Sequence, residues 1–270
     1  MKNKNTFSRE HLLYIRKIKR QTCFVWVMRF ALLIALLGIW ELFAYLNVID
    51  SFISSSPSRI IKTTKELFLE NNLLKHIGVT MYETMLGFLI AVGLGYLIAL
   101  LLWWSERIRR ILEPYIVVLN SLPKIALGPI IIVWFGSGSK AIIFMAVIIG
   151  IIVAIMTMLN GFLSTDNNKI LLLKSMGATK TQILIKLVIP GSLPTLISML
   201  KISVGMAWVG SIMGEYLVSR AGLGYLIVYG GQVFKLDLVM ASTVVLCVLA
   251  TFMYGLVALL ERCIIKFKGK

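Results

Sequence analysis

The sequence predicts an all-α membrane protein with six transmembrane helices and a two-helix segment on the cytoplasmic side. A chain of 270 residues that is 59% hydrophobic, with mean hydropathy +0.89, carries more apolar surface than one water-soluble globule can bury. Its apolar residues gather in stretches of roughly 20, the length that crosses hydrocarbon. These stretches lack period-two alternation, and unpaired backbone amides are too costly in lipid, so helices rather than barrel strands are expected.

A basic N-terminal segment, residues 1–24, precedes a membrane domain at 25–264, and a basic tail follows at 265–270. Attraction to anionic headgroups accounts for Arg16, Lys17, Lys19 and Arg20 without a dedicated partner. The first span, Val25–Leu46, lacks a small-residue cleavage pattern and reads as a retained helix. Ser54 to Ser58 then reads as a loop and helix start, leading into a short amphipathic helix on the outer surface.

The second span, Tyr82–Trp104, sets Gly87, Ala91, Gly95 and Ala99 four residues apart, a stripe of small side chains that should face protein. The third, Tyr115–Phe135, holds Pro123 and Pro129, which mark either a bent helix bordering a cavity or a tolerated kink. Spans four to six are read at Ala141–Phe162, Leu193–Met213 and Leu236–Leu260; the small-residue spacing of Gly210 and Gly214 says little alone. Lys124 and Lys201 lie in or beside apolar runs, where a charge is costly. Each either lines a path for an anion or escapes by snorkelling or pairing, with Glu215 or Glu41 as conceivable partners for Lys201.

The formal charge of +16 does not point to nucleic acid once the charges are placed. With the N-terminus inside, about 19 of the 28 basic residues fall in cytoplasmic segments, so both termini are expected in the cytoplasm. Cys23, Cys247 and Cys263 are far apart and the only histidines are His11 and His76, so no metal, cofactor or disulfide is expected. The same scarcity of convergent groups argues against a membrane-embedded enzyme. Glu41 and Glu83, near span ends, give thin support to an autonomous ion-coupled transporter.

The connection between spans four and five, residues 168–190, is too patterned for a plain linker. Ile170 to Met176 forms a helical run that stops at Gly177, a residue suited to the positive φ of a helix C-terminus. Thr179 with Gln182 matches a capping box, so a second helix should start near Lys180. Ile183, Leu184, Leu187 and Val188 mark its apolar face, Lys180 and Lys186 can face water, and Pro190 limits it. Such a projection suits docking into a partner's groove, or lies flat on the inner leaflet.

Gly177-Ala178, Ile189-Pro190 and Leu193-Pro194 resemble the cytoplasmic coupling motif of binding-protein-dependent ABC importer permeases. The resemblance extends to Ser121–Pro129 with Trp134–Gly138, and to Gly214–Tyr225, in the manner of the nitrate, sulfonate, taurine and bicarbonate branch. It covers the chain from Trp40-Glu41 to the last span. It implies a permease subunit, itself no enzyme, that moves a small anionic solute inward by alternating access, in the plasma membrane of a prokaryote. A thiamine-precursor pyrimidine is the alternative cargo. Implied partners are ATP-binding cassette ATPase subunits, an extracytoplasmic substrate-binding protein and a second permease subunit, a homodimer being expected.

ATPase coupling is thereby assigned to Lys174, Ser175, Met176, Gly177, Ala178, Thr179 and Gln182. Candidates for the translocation path are Pro123, Lys124, Lys201, Glu215 and Tyr216. Glu215 to Gly231 is expected to be partly re-entrant near the outer end. Where the family motif commonly opens Glu-Ala-Ala, this chain has Leu171-Leu172-Leu173, which puts an acidic contact to the ATPase in doubt. No phosphate-binding loop of the Gly-x-x-x-x-Gly-Lys-Ser/Thr type occurs, so ATP hydrolysis must reside in a partner.

Overall fold

The computed structural model describes residues 9–46, 48, 55–70 and 73–268, and among them only helices and turns occur. The chain divides into two compact units, Met1–Thr63 and Thr64–Lys270. In the first, α1 (Arg9–Tyr45) begins well inside the segment expected to precede the first span, whose first eight residues lie outside the described ones. Of the expected loop at Ser54–Ser58, Ser54 is likewise outside them. Pro57 opens α2 (Pro57–Glu70), the amphipathic helix expected there. The Glu41 carboxylate accepts hydrogen bonds from Ser58 N (3.0 Å) and Ser58 Oγ (2.7 Å), which satisfies a free donor in the first turn of α2.

The second unit is built around α6 (Ser139–Leu163), which packs against α3 (Leu73–Trp104) on one side and α9 (Leu193–Val218) on the other. Small residues set both approaches. A Cβ placed on Gly87 would lie 2.5 Å from the Ala146 Cβ, and one on Gly95 would lie 2.6 Å from the Ala154 Cβ. Ala91 and Ala99 are buried, so the four-residue stripe of α3 faces protein as its sequence requires. Gly210 meets the backbone of the same Ala146 from α9, and a Cβ on Gly214 would lie 3.0 Å from Ile142 Cα. Without Cβ atoms at these glycines the two helices close on α6 to backbone contact, which maximises the dispersion that holds membrane helices together.

The stretch read as one span, Tyr115–Phe135, is two helices, α4 (Glu106–Ser121) and α5 (Lys124–Phe135), set at 88°. Of the two readings of the prolines, the bent one describes it. Leu122 precedes a proline and is extended (φ −68°, ψ 139°), as steric conflict with the Pro123 ring demands. Pro123 then heads a single 3-10 turn, and Pro129 sits in the first turn of the α-helical part of α5, where its missing N–H costs nothing. Among the described residues five single helices are long and apolar enough to cross a membrane, and the bent pair, counted as one span, brings the total to six.

After α9 the chain turns at Ser219–Gly222 and forms α10 (Leu223–Gln232), ten residues that are too few to cross a bilayer. It packs on the next helix, α11 (Leu236–Lys268), and on α9 and α3.

Candidate coupling segment and translocation path

The connection between α6 and α9 folds as two short helices on a tight turn. Asp166 caps α7 (Asn167–Ser175) by accepting from Asn168 N at 2.9 Å. At its other end Gly177 takes φ +79°, while Gly177 N donates to Lys174 O and Ala178 N to Leu173 O, both at 2.9 Å. These two bonds form a Schellman motif, which needs a left-handed residue at the position Gly177 occupies. Two residues on, Thr179 Oγ1 accepts from Gln182 N (3.3 Å) and Gln182 Oε1 accepts from Thr179 N (2.8 Å), closing a capping box at the start of α8 (Lys180–Ile183).

From Ile183 the helical path widens into a π turn, Leu184–Val188, and continues through Ile189–Gly191, so Pro190 lies in a last turn before Ser192 and a fresh helix. Ile183 and Val188 are buried in a cluster with Leu102, Met158, Phe162 and Met199, which ties the projection to the main helices. The faces divide as the apolar spacing predicts. Lys180 and Lys186 are both exposed, as expected, and the Lys180 ammonium in addition donates to Trp104 O at the end of α3 and lies over the Trp103 and Trp104 rings. Leu171, Leu172 and Met176 are exposed by 67%, 60% and 75%, an apolar tip facing away from the core.

The five path candidates do not converge. Pro123 and Lys124 stand at the break between α4 and α5, where Lys124 Nζ donates to Asn120 O at 3.0 Å. Lys201 pairs with Glu261 of α11 at 2.6 Å, and with neither Glu215 nor Glu41, the two conceivable partners. Glu215 is buried at the far end of α9, whereas its neighbour Tyr216 is partly exposed.

The surroundings of Glu215 explain the Gly-rich turn beyond it. Three successive donors at the start of α10 are taken by side chains: Gly222 N by His76 Nδ1 (3.0 Å), Leu223 N by Thr80 Oγ1 (2.8 Å) and Gly224 N by Glu215 Oε2 (2.6 Å). Gly222 has φ +121°, and a Cβ there would collide with the Glu215 carboxylate. Here Glu215 acts as the anchor that folds α10 back on α9.

Glu83, which sequence reasoning noted only as lying near a span end, is 1% exposed and lies beside Ser139 and Glu215. It lines a cavity of about 320 Å³ together with Ser137, Ser139, Val218 and Arg220. Its signal in the sequence is a lone acid just ahead of a long apolar run, a pattern that does not announce which face it occupies.

Helices bent at proline, packed through small residues and joined by a capped two-helix projection describe a polytopic helical membrane protein. Residues 91–266 match the family model of the binding-protein-dependent transport system inner membrane component, and the chain belongs to that family. It is 32% identical over 190 residues to a formylaminopyrimidine transport permease protein of Halalkalibacterium halodurans, covering 70% of this chain and 75% of the relative. To a putative aliphatic sulfonates transport permease protein of Bacillus subtilis it is 27% identical, covering 94% and 92%. To the taurine transport system permease protein of Escherichia coli it is 27% identical, covering 85% and 86%. Among solved structures, the inward-facing MetNI methionine ABC transporter shares the fold with TM-score 0.63 at 21% identity, covering 71% of this chain and 95% of that one. A bacterial ABC transporter importing alginate gives TM-score 0.62 at 15% identity, covering 92% and 99%. The protein is thus a multi-pass permease of the inner membrane and a transport subunit rather than an enzyme.

Proposed function

We propose that this permease works as one of two copies in an ATP-driven importer, with both termini in the cytoplasm and residues 168–190 docked on an ATP-binding cassette subunit. The observation that carries the reading is the two-helix projection: fixed at its base by Ile183 and Val188, locked at its turn by two capping motifs, and apolar at its tip. A rigid element of this kind transmits a displacement rather than absorbing it. Closure of the ATPase pair can then shift α6 and α9, the helices that flank the projection, and exchange inward-open for outward-open states. Leu171 and Leu172 replace an acidic contact with apolar burial, so this docking is expected to depend little on salt.

The cargo is a small organic solute delivered by an extracytoplasmic binding protein, of the size and kind carried by the sulfonate, taurine and formylaminopyrimidine relatives. Purification of the tagged permease in mild detergent tests the assembly. An ATPase subunit should accompany it and be lost from Gly177→Pro; its absence from wild-type preparations under every mild condition would favour an autonomous transporter.

A further inference from the structure

The cavity beside Glu83 holds a carboxyl group that the fold does not need. Glu215 has a structural task, since its Oε2 caps α10, but Glu83 caps no helix and its Oε2 is buried without a hydrogen-bond partner. The Glu215 Oε1 is unpartnered in the same way. An unsatisfied carboxylate inside a membrane helix is costly, and an apolar residue would pack there at no such cost. Two carboxyl groups side by side also require a proton or a cation between them.

Two further features suit this place to a polar guest. Glu83 lies beside Ser139, the first residue of the 25-residue α6, where the helix dipole favours negative charge. At about 320 Å³ the cavity has the volume of a small-molecule site. At its rim stands Arg220, which is exposed and, among the described residues, paired with no carboxylate. The cavity is therefore acidic at its buried end and basic at its mouth.

We propose that this cavity is a cation-accepting site, in which Glu83 receives an ammonium or amidinium group of the carried solute while Arg220 faces an anionic end. The cargo is then a zwitterion or an amine-bearing compound rather than a simple anion. This rests on the importer reading above and on its orientation, which puts the cavity at the outer mouth, where a binding protein would release its solute.

The test uses the full-length permease, with whatever subunits accompany it, after Cys23→Ser, Cys247→Ser and Cys263→Ser replacement. A Ser139→Cys reporter is labelled from outside with trimethylammonium-bearing and sulfonate-bearing methanethiosulfonates. Relative to free cysteine, the cationic reagent should react roughly tenfold faster, the size expected for one uncompensated charge close by. Glu83→Gln should abolish most of that preference, and excess ethylammonium, but not ethanesulfonate, should slow labelling at least about twofold, a partial occupancy of the site. A ratio equal to that of free cysteine, as an Arg220-neutralised cavity would give, overturns the proposal. So does a preference that survives Glu83→Gln, or an absence of competition by ethylammonium. The competition needs no change at Glu83, so it decides the matter even if that variant does not assemble. Loss of the ATPase from the preparation would refute the importer reading without altering the labelling result.

Discussion

Gly177 is the position at which the coupling segment is most easily broken without touching the membrane helices. Its φ of +79° is a left-handed conformation, while a Cβ there would meet nothing within 4 Å. Gly177→Ala therefore adds no clash, and its cost is the backbone term alone, about 1–2 kcal/mol. That lowers the population of the closed turn relative to opened forms by a factor of roughly 5 to 30. Gly177→Asn should cost less, because Asn tolerates this region. Gly177→Pro should cost most, since proline cannot adopt the angle and loses the N–H that bonds Lys174 O. Amide exchange over residues 170–183 is the assay: protection should fall in the order wild type, Asn, Ala, Pro, while α6 and α9 keep theirs. Equal protection in wild type and Gly177→Pro would refute the assignment of rigidity to this turn.

Gly210→Ala would place a methyl group against the backbone of Ala146, which cannot yield as a side chain tip can, so α9 must shift; a loss of about 1–3 kcal/mol is expected as a lowered midpoint in detergent unfolding. Gly205→Ala, on the same helix with open space, should leave that midpoint unchanged and serves as the control. Lys201→Met or Glu261→Met alone should reduce stability more than the two together, because each single change leaves a half-buried charge without its partner; additive effects in the double-mutant cycle would show that the 2.6 Å pair contributes nothing.

The fold was legible where one local rule decides the outcome. Gly177, Thr179 and Gln182 announce a helix stop and start through backbone requirements, and both motifs form as read. The stripe on α3 was legible because four-residue spacing of small side chains has one use between membrane helices. Helix limits were less so: α3 begins at Leu73, nine residues before the apolar run, since polar Lys75, His76 and Thr80 do not interrupt a helix and the hydropathy change marks only where lipid begins. The prolines of Tyr115–Phe135 left the size of the bend open, because Pro123 forbids a straight helix without specifying the new direction. Partners across helices were the least legible. Glu41 and Glu215 were both conceivable for Lys201, and tertiary packing chose Glu261, 60 residues away. The cluster of Glu83, Ser139, Glu215 and Arg220 joins three separate helices and a turn, and no one-dimensional pattern brings them together.

The docking of residues 168–190 on an ATPase subunit is tested most directly by contact. Met176, 75% exposed at the tip of the projection, would be changed to Cys in the cysteine-free protein and joined to its neighbours with a short thiol cross-linker in native membranes. Met176→Cys should cross-link to the ATPase subunit, with a yield that changes when ATP is added, and Phe234→Cys, in the turn between α10 and α11, should not. An ATPase that co-purifies but cross-links to neither position, or to both alike, would contradict the coupling role assigned to this segment.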